Sequence, residues 1–364
     1  MRDDDYSVEE EFHQRDRKAF KKERKIAQTA DRSKFKKTDQ DKLQKKAQHY
    51  EANPNTIRAR VLSITGEGIQ VDCCGKRMLC SLRGLLKRER TRAKNLIVVG
   101  DFVQVLPAEE SQGQILSVEE RTSTLAREDV SGRKRQLIAA NIDQVFITVS
   151  ILLPTLKPFL IDRYIIAAHK GNMAPVVLVN KIDLLKDNTK ERLFYEEFLE
   201  AYKEIGVPIL PVSAETKKGI PALKVLMKDK ASVFSGHSGV GKSSLINELL
   251  GLDLPTGEMI LKTSKGSHTT TTAHLIPLPE GGFCIDTPGI KSFGIWDMQK
   301  EEITDHFFEI KAVAKGCKYP NCIHTQEPEC AVHEAVARGE IHRLRFESYL
   351  SLIQDLQEGI SSPF

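Results

Sequence analysis

The sequence predicts a multidomain chain: a small β-barrel, a doubly wound parallel α/β domain and a short helical region, behind a charged extension. Three observations predict it. Short alternating apolar segments separated by glycine turns occupy residues 53–127. Strand-like apolar runs alternate with helical patterns through residues 128–298, and one run enters a glycine-rich loop. Residues 299–364 read as helices around three cysteines and a histidine.

At 364 residues the chain is long enough for two or three cores. Its composition is that of a soluble globular protein. The longest membrane-like run, Val145 to Leu153, is too short for a span and ends at Pro154. Met1-Arg2-Asp3-Asp4-Asp5 lacks the apolar core of a secretory signal. Seven cysteines are an odd number, and the group near the C-terminus suits metal binding better than a disulfide scaffold. These features lead us to expect a reducing, cytoplasmic setting with no membrane partner.

The net charge of +4 is unevenly spread. Residues 1–52 are charge-dense, with Arg15, Arg17, Lys18, Lys21, Lys22, Arg24 and Lys25 clustered. Such a segment cannot bury enough apolar surface to fold alone. It reads either as a solvated tail or as a nucleic-acid-binding arm.

In the predicted barrel, Ile57, Ala59 and Val61 alternate with Arg58 and Arg60, and Ile69 and Val71 follow a Gly66-Glu67-Gly68 turn. Met78, Cys80 and Leu82, then Val103, Val105, Ile115 and Val118, continue the pattern. Arg83, Lys87, Arg88, Arg90, Arg92 and Lys94 lie between two strands, a basic loop suited to an oligonucleotide-binding barrel. Cys73, Cys74 and Cys80 have no matching ligand set nearby and read as ordinary barrel residues.

The α/β domain contains Gln144 to Ser150 as a buried strand, Pro158 to His169 as a helix and Pro175 to Val179 as a second strand. Thr189 to Ile205 follows as a helix, Pro208 to Val212 as a strand and Ile220 to Met227 as a short helix. Val233-Phe234 then runs into Ser235-Gly236-His237-Ser238-Gly239-Val240-Gly241-Lys242-Ser243-Ser244, the G-x-x-x-x-G-K-[ST] phosphate loop. Its glycines let backbone N–H groups face a phosphate, and the following helix start favours an anion. Lys242 would reach the β- and γ-phosphates, and Ser243 would hold Mg²⁺.

The loop alone does not choose the nucleotide. Asn180-Lys181-Ile182-Asp183 matches the guanine-reading motif N-K-x-D. A carboxylate at Asp183 can accept both the N1–H and the exocyclic amine of guanine, a pair that adenine does not present. Lys181 can lay its stem along the base, and Asn180 can brace the loops. Ser213-Ala214-Glu215 resembles the companion S-A-x motif, with the Ala214 N–H directed to the guanine oxygen. Asp286-Thr287-Pro288-Gly289 resembles D-x-x-G, with Asp286 on Mg²⁺ through water and the Gly289 N–H on the γ-phosphate. Between the phosphate loop and Asp286, Thr270 is the expected switch threonine on Mg²⁺, with Thr269 and Thr271 as register alternatives.

The motifs occur in the order N-K-x-D, S-A-x, phosphate loop, threonine, D-x-x-G, a circular permutation of the usual GTPase order. The segment after D-x-x-G therefore leads directly into the C-terminal residues, so a switch movement can pull on them. Ile290 stands where many GTPases place a water-orienting glutamine, and an aliphatic side chain cannot polarise water. Hydrolysis then needs another group. His268 is the nearest candidate in sequence, set against the plain reading of a surface histidine.

Cys317-x4-Cys322-x-His324-x5-Cys330 supplies three thiolates and an imidazole, a composition suited to one structural zinc with no open position. His333 is close by and surplus. Glu302 to Ala314 and Cys330 to Gln357 read as the flanking helices, with Lys315, Lys318, Arg338, Arg343 and Arg345 giving a partly basic face.

The permuted order, the Gly236-to-Ser244 loop, Gly266-x-His268-Thr269-Thr270, Asp286-Thr287-Pro288-Gly289 and the cysteine–histidine set together resemble one family. It is the RsgA family of ribosome small-subunit-dependent, circularly permuted bacterial GTPases. The resemblance runs from about residue 55 to the end; Glu215 stands where a lysine is often seen, and Ile290 fits the family's aliphatic choice. It implies an OB-fold barrel, a circularly permuted P-loop α/β GTPase domain and a small α-helical zinc-binding domain. It further implies GTP hydrolysis to GDP, stimulated by the small (30S) subunit late in its maturation, with 16S rRNA contacts and a monomeric protein. The family's histidine matching His268 is linked to stimulated hydrolysis. Two rival readings stand beside it: an RNA-binding assembly scaffold with a structural nucleotide, and a GTPase switch acting on a protein partner.

Overall fold

The computed structural model describes residues 55–82, 96–108, 111–128, 135–187, 189–251, 273–286 and 299–358, without the side chains of residues 127, 128, 135 and 286. The basic extension, the basic loop from Arg83 to Lys94 and the switch residues Thr269, Thr270, Thr271, His268, Gly289 and Ile290 lie outside the described residues.

Strands β1 (Ile57–Ile64), β2 (Ile69–Cys73), β3 (Lys76–Leu82), β4 (Phe102–Pro107) and β5 (Gln112–Val118) close a barrel in the order β1-β2-β3-β5-β4. Alternation puts Val61, Val71, Val103, Val105 and Ile115 inside, all fully buried. The β3–β5 pairing is parallel, while β4 returns antiparallel to β1. This five-stranded Greek-key closure is the expected OB-fold. Next, β6 (Thr124–Glu128) and β7 (Arg135–Ala140) form an antiparallel hairpin, within which the sequence-based boundary at residue 127 falls.

The central sheet contains β8 (Gln144–Ser150), β9 (Ala174–Asn180), β10 (Ile209–Pro211), β11 (Ala231–Ser235), β12 (His274–Pro277) and β13 (Phe283–Asp286). Their order is β10-β9-β8-β11-β13-β12, parallel except for β12 against β13. Period-two alternation buries both faces. Val145, Ile147, Val177, Val179 and Val233 enter one core, which includes α1 (Pro158–Lys170) and α2 (Lys190–Ala201). Phe146, Val176, Leu178 and Phe234 enter the other, beneath α3 (Ile220–Met227) and α4 (Lys242–Leu250). A strand covered on both faces reads as a continuous apolar run, which is how these strands appear in the sequence.

Two helical expectations are corrected. Thr189 caps α2 by accepting from the Arg192 N–H at 3.2 Å, but the helix ends at Ala201 rather than Ile205. Tyr202 leaves helical geometry at ψ 3° and carries its hydroxyl to Asp162. The C-terminal region has four helices among the described residues, where two continuous ones are expected: α5 (Lys300–His306), α6 (Phe308–Ala314), α7 (Ala331–Ala337) and α8 (Arg343–Gln357). The first break is at Phe307, whose ψ of 65° is not helical and whose ring is fully buried. The second is at Gly339, which adopts φ +74°, a left-handed value that glycine reaches at no steric cost. Ile303, Phe307, Ile310, Val332, Phe346 and Tyr349 form this region's core, to which α1 contributes Ile166.

Candidate functional site: the phosphate loop, the base loop and the cysteine–histidine cluster

Strand β11 sits mid-sheet and is buried throughout, so the loop leaving its carboxyl end opens where ligands bind in doubly wound sheets. Two glycines are required by contact. A Cβ on Gly236 would meet the Thr148 carbonyl oxygen at 2.1 Å, and one on Gly241 would meet Asn180 Nδ2 at 2.4 Å. Both also hold left-handed backbone, at φ +134° and +91°. Lys242 opens α4 and folds back, its Nζ donating to the Gly236 and His237 carbonyls at 2.7 Å each. The ammonium is thus held at the loop's rim. Ser238, Gly239 and Ser243 are exposed, Ser244 is half-buried and Val240 is buried. His237 Nδ1 lies 3.0 Å from the Ser238 oxygen.

Asn180 ends β9 and is buried. Its Nδ2 donates to the Val240 carbonyl at 2.9 Å, and its Oδ1 accepts from the Ala214 N–H at 3.3 Å. One amide therefore braces the phosphate loop and the S-A-x loop together. Lys181 adopts φ +63° and places its Nζ 2.7 Å from the Gly239 oxygen and 2.6 Å from the Leu153 oxygen. Held at its tip by two carbonyls, the lysine stem becomes a fixed shelf between the two loops. Asp183 is exposed, with Oδ1 accepting from the Ser213 hydroxyl at 2.5 Å. Ser213 Oγ in turn accepts from the Thr216 N–H at 3.0 Å, which orients the carboxylate. Ile182 is half-buried and packs on the α/β core. Asp286 ends β13, beside β11, so its backbone is at the same sheet end.

The four residues of the cysteine–histidine set converge. Their ligand atoms all lie within 4.8 Å of one another. His324 Nδ1 is 3.4 Å from Cys330 Sγ and 3.6 Å from Cys317 Sγ; Cys330 Sγ is 3.8 Å from Cys322 Sγ and 3.9 Å from Cys317 Sγ. A tetrahedron with Zn–S bonds of about 2.3 Å and a Zn–N bond of about 2.0 Å has edges of about 3.5–3.8 Å. The site therefore fits one zinc.

Its supporting shell was only partly visible in the sequence. The His333 Nε2 donates to the His324 carbonyl at 3.0 Å, so the surplus histidine holds the backbone of a ligand. Glu327 was not foreseen. Its carboxylate accepts from the backbone N–H groups of Ile323, Thr325 and Gln326 at 2.7, 2.8 and 3.1 Å. Partial burial pushes that carboxyl up, but these bonds outweigh it and bring it down to about 2. An acidic residue among turn residues between two ligands is the signal that could have found it. The Leu153 carbonyl was missed as well, because a backbone acceptor leaves no residue signature.

The strand order, with the phosphate loop on the central strand and the N-K-x-D and S-A-x loops two and three strands away, defines a class. It is a P-loop GTPase domain whose elements are circularly permuted in sequence. The family model described as RsgA GTPase matches residues 118–296. A Bacteroides fragilis protein named "Small ribosomal subunit biogenesis GTPase RsgA" is 37% identical over 306 residues, covering 83% of this chain and 98% of the relative. A Chlorobaculum parvum protein of the same name is 43% identical over 274 residues, covering 72% and 86%. The chain belongs to the RsgA GTPase family. Among solved structures, YjeQ from Thermotoga maritima superposes with a TM-score of 0.66 at 34% identity, covering 83% of this chain and 99% of that one. YloQ, described as a circularly permuted GTPase, shares the fold with a TM-score of 0.64 at 24% identity, covering 87% and 99%.

Proposed function

We propose that this GTPase acts in late maturation of the small (30S) ribosomal subunit, hydrolysing GTP to GDP and phosphate when it meets the subunit. The observation that carries the reading is the double brace between base loop and phosphate loop. Asn180 holds Val240, and Lys181 holds Gly239, which ties the N-K-x-D loop to the phosphate loop and supports reading the two as one nucleotide site. The small-subunit role is supported by the printed names of the relatives.

In this reading Asp183 reads guanine, Lys181 supports the base face and the Ala214 N–H turns from Asn180 to the guanine oxygen. Residues 236–244 cradle the phosphates, with Lys242 moving from the loop carbonyls onto the β- and γ-phosphates. Ser243, Thr270 and Asp286 would hold Mg²⁺, an all-oxygen set that suits a hard cation. When bound, the ion neutralises charge developing on the phosphates. The Gly289 N–H contacts the γ-phosphate, and His268 orients or deprotonates the attacking water, a task Ile290 cannot perform.

Zinc on Cys317, Cys322, His324 and Cys330 is structural, since four protein ligands leave no open position. The domains divide as 53–127, 128–298 and 299–364, with the extension 1–52 ahead of them. The barrel, the zinc domain and the basic extension dock on 16S rRNA, with a monomeric protein working in the cytoplasm. No helix among the described residues is long and apolar enough to cross a membrane. The test is GTP turnover with and without purified small subunits: stimulation supports the reading, and an unchanged rate refutes it.

A further inference from the structure

The barrel does more than sit beside the GTPase sheet. Its first strand, β1, packs along β12, and Leu62 of β1 enters the α/β core. From β1, Arg60 reaches across this contact. The guanidinium carbon of Arg60 is 5.0 Å from the centroid of the Phe102 ring on β4 and 4.9 Å from that of Phe283, the first residue of β13. Arg60 Nη2 donates to the Asn141 carbonyl, while its buried Nε has no hydrogen-bond partner. Asn141 is itself tied to the barrel side. Its Nδ2 donates to the Gly100 carbonyl at 3.1 Å, and its Oδ1 accepts from the Thr122 N–H at 2.9 Å. Arg60 is thus held by one carbonyl on the barrel side and by cation–π contact with two rings, an interaction that depends on ring position.

Phe283 is a particular place to hold. Strands β12 and β13 form an antiparallel hairpin, with Pro277 opposite Phe283 at the turn end and His274 opposite Asp286 at the other. The turn is closed by Leu278 N–H to the Gly282 oxygen at 3.0 Å. In sequence, the expected switch threonine precedes this hairpin and D-x-x-G begins at its last residue. Three residues at about 3.4 Å each separate Phe283 from Asp286, about 10 Å in all. Phe283 and both switch attachments therefore lie on one short, hydrogen-bonded hairpin.

The geometry points to Arg60 as a positioning residue that couples the barrel to the β12–β13 hairpin, so that RNA on the barrel sets the register of the switch attachments for GTP hydrolysis. The inference rests on the proposed subunit-stimulated activity for its purpose, but the joint can be tested without subunits. Hydrogen exchange of the full-length protein is compared with GDP and with a non-hydrolysable GTP analogue. In the wild type, exchange in β1 differs between the two nucleotides. In Arg60→Ala, and in Phe283→Leu, which keeps an apolar side chain but removes the ring, that difference vanishes while the phosphate loop still responds. Both variants keep their GTP affinity and basal turnover, while the small-subunit-stimulated rate falls about 10-fold, the size of an ordinary coupling. A β1 response that is absent in the wild type, or retained in both variants, overturns the inference. Should Arg60→Ala fail to fold, Phe283→Leu decides alone. Wild-type turnover that ignores small subunits would instead refute the proposed function and leave the exchange comparison to judge the joint.

Discussion

Asp162 on α1 and Arg345 on α8 form an ion pair that water does not reach: both side chains are at most 2% exposed. The carboxylate also accepts from His306 Nε2 at 2.7 Å and from the Tyr202 and Ser348 hydroxyls at 2.5 Å each. Arg345 donates to Glu309 at 2.8 Å and lies 4.2 Å from the Phe307 ring centroid. One cluster thus pins the zinc-region helices to α1 and α2. The C-terminal region is therefore anchored to the GTPase domain by packing as well as by the chain after D-x-x-G. A switch movement pulling on it must work against this anchor.

The anchor predicts an asymmetric mutational response. Arg345→Met leaves a buried carboxylate without its charge partner and should cost about 3–5 kcal/mol, read from urea unfolding. Arg345→Met combined with Asp162→Leu should recover part of that loss, because the orphaned charge is gone. Equal destabilisation by the single and double variants would count against the pair as the anchor.

The same carboxylate predicts a pH dependence. Burial pushes the Asp162 carboxyl up, but Arg345, His306 and Ser348 together outweigh it and hold it below the usual carboxylate range. The folded value lies below the unfolded one, so this stability is present above the ordinary carboxylate pKa and is lost as pH falls through the folded value. Unfolding free energy measured between about pH 3 and pH 7 should fall on acidification more steeply for wild type than for Asp162→Asn. Parallel curves would contradict the assignment.

Base recognition predicts a selective loss. Asp183→Asn removes the acceptor pair for guanine and should weaken GTP by about 10- to 100-fold relative to other purine nucleotides, measured by competition binding. Unchanged selectivity would remove Asp183 from base reading.

How much of this was legible follows from the reach of each signal. The phosphate loop and N-K-x-D are contiguous, so their residues appear side by side in the sequence. The barrel strands were legible by alternation, but the parallel β3–β5 pairing was not, since a period of two identifies a strand and not its neighbour. The Asp162 cluster was out of reach. Its partners Tyr202, His306, Arg345 and Ser348 lie 40, 144, 183 and 186 residues away, and a lone aspartate in an apolar helix does not name them. The helix break at Phe307 was missed because burial of its ring overrode a continuous helical pattern, whereas Gly339 carried a local signal, a glycine able to end a helix, that the pattern of apolar residues hid.

The metal site predicts one zinc per chain by elemental analysis. Its removal by chelation should lower thermal stability, because the free energy of metal binding that holds the four ligands together is lost. Less than one zinc, with no change on chelation, would contradict a structural role.

The catalytic proposal rests on His268. His268→Ala should leave GTP affinity unchanged and reduce the stimulated rate by about 100-fold, the usual range for a positioned acid–base group. A normal stimulated rate would exclude the histidine from the mechanism.

The central claim is that this permuted GTPase completes its catalytic site on the small ribosomal subunit. The direct measurement is GTP hydrolysis titrated in parallel with mature small subunits, large subunits and naked ribosomal RNA. A saturable rise in rate is expected with small subunits, and little or none with the other two. A rate indifferent to small subunits, or raised equally by all three, would contradict it.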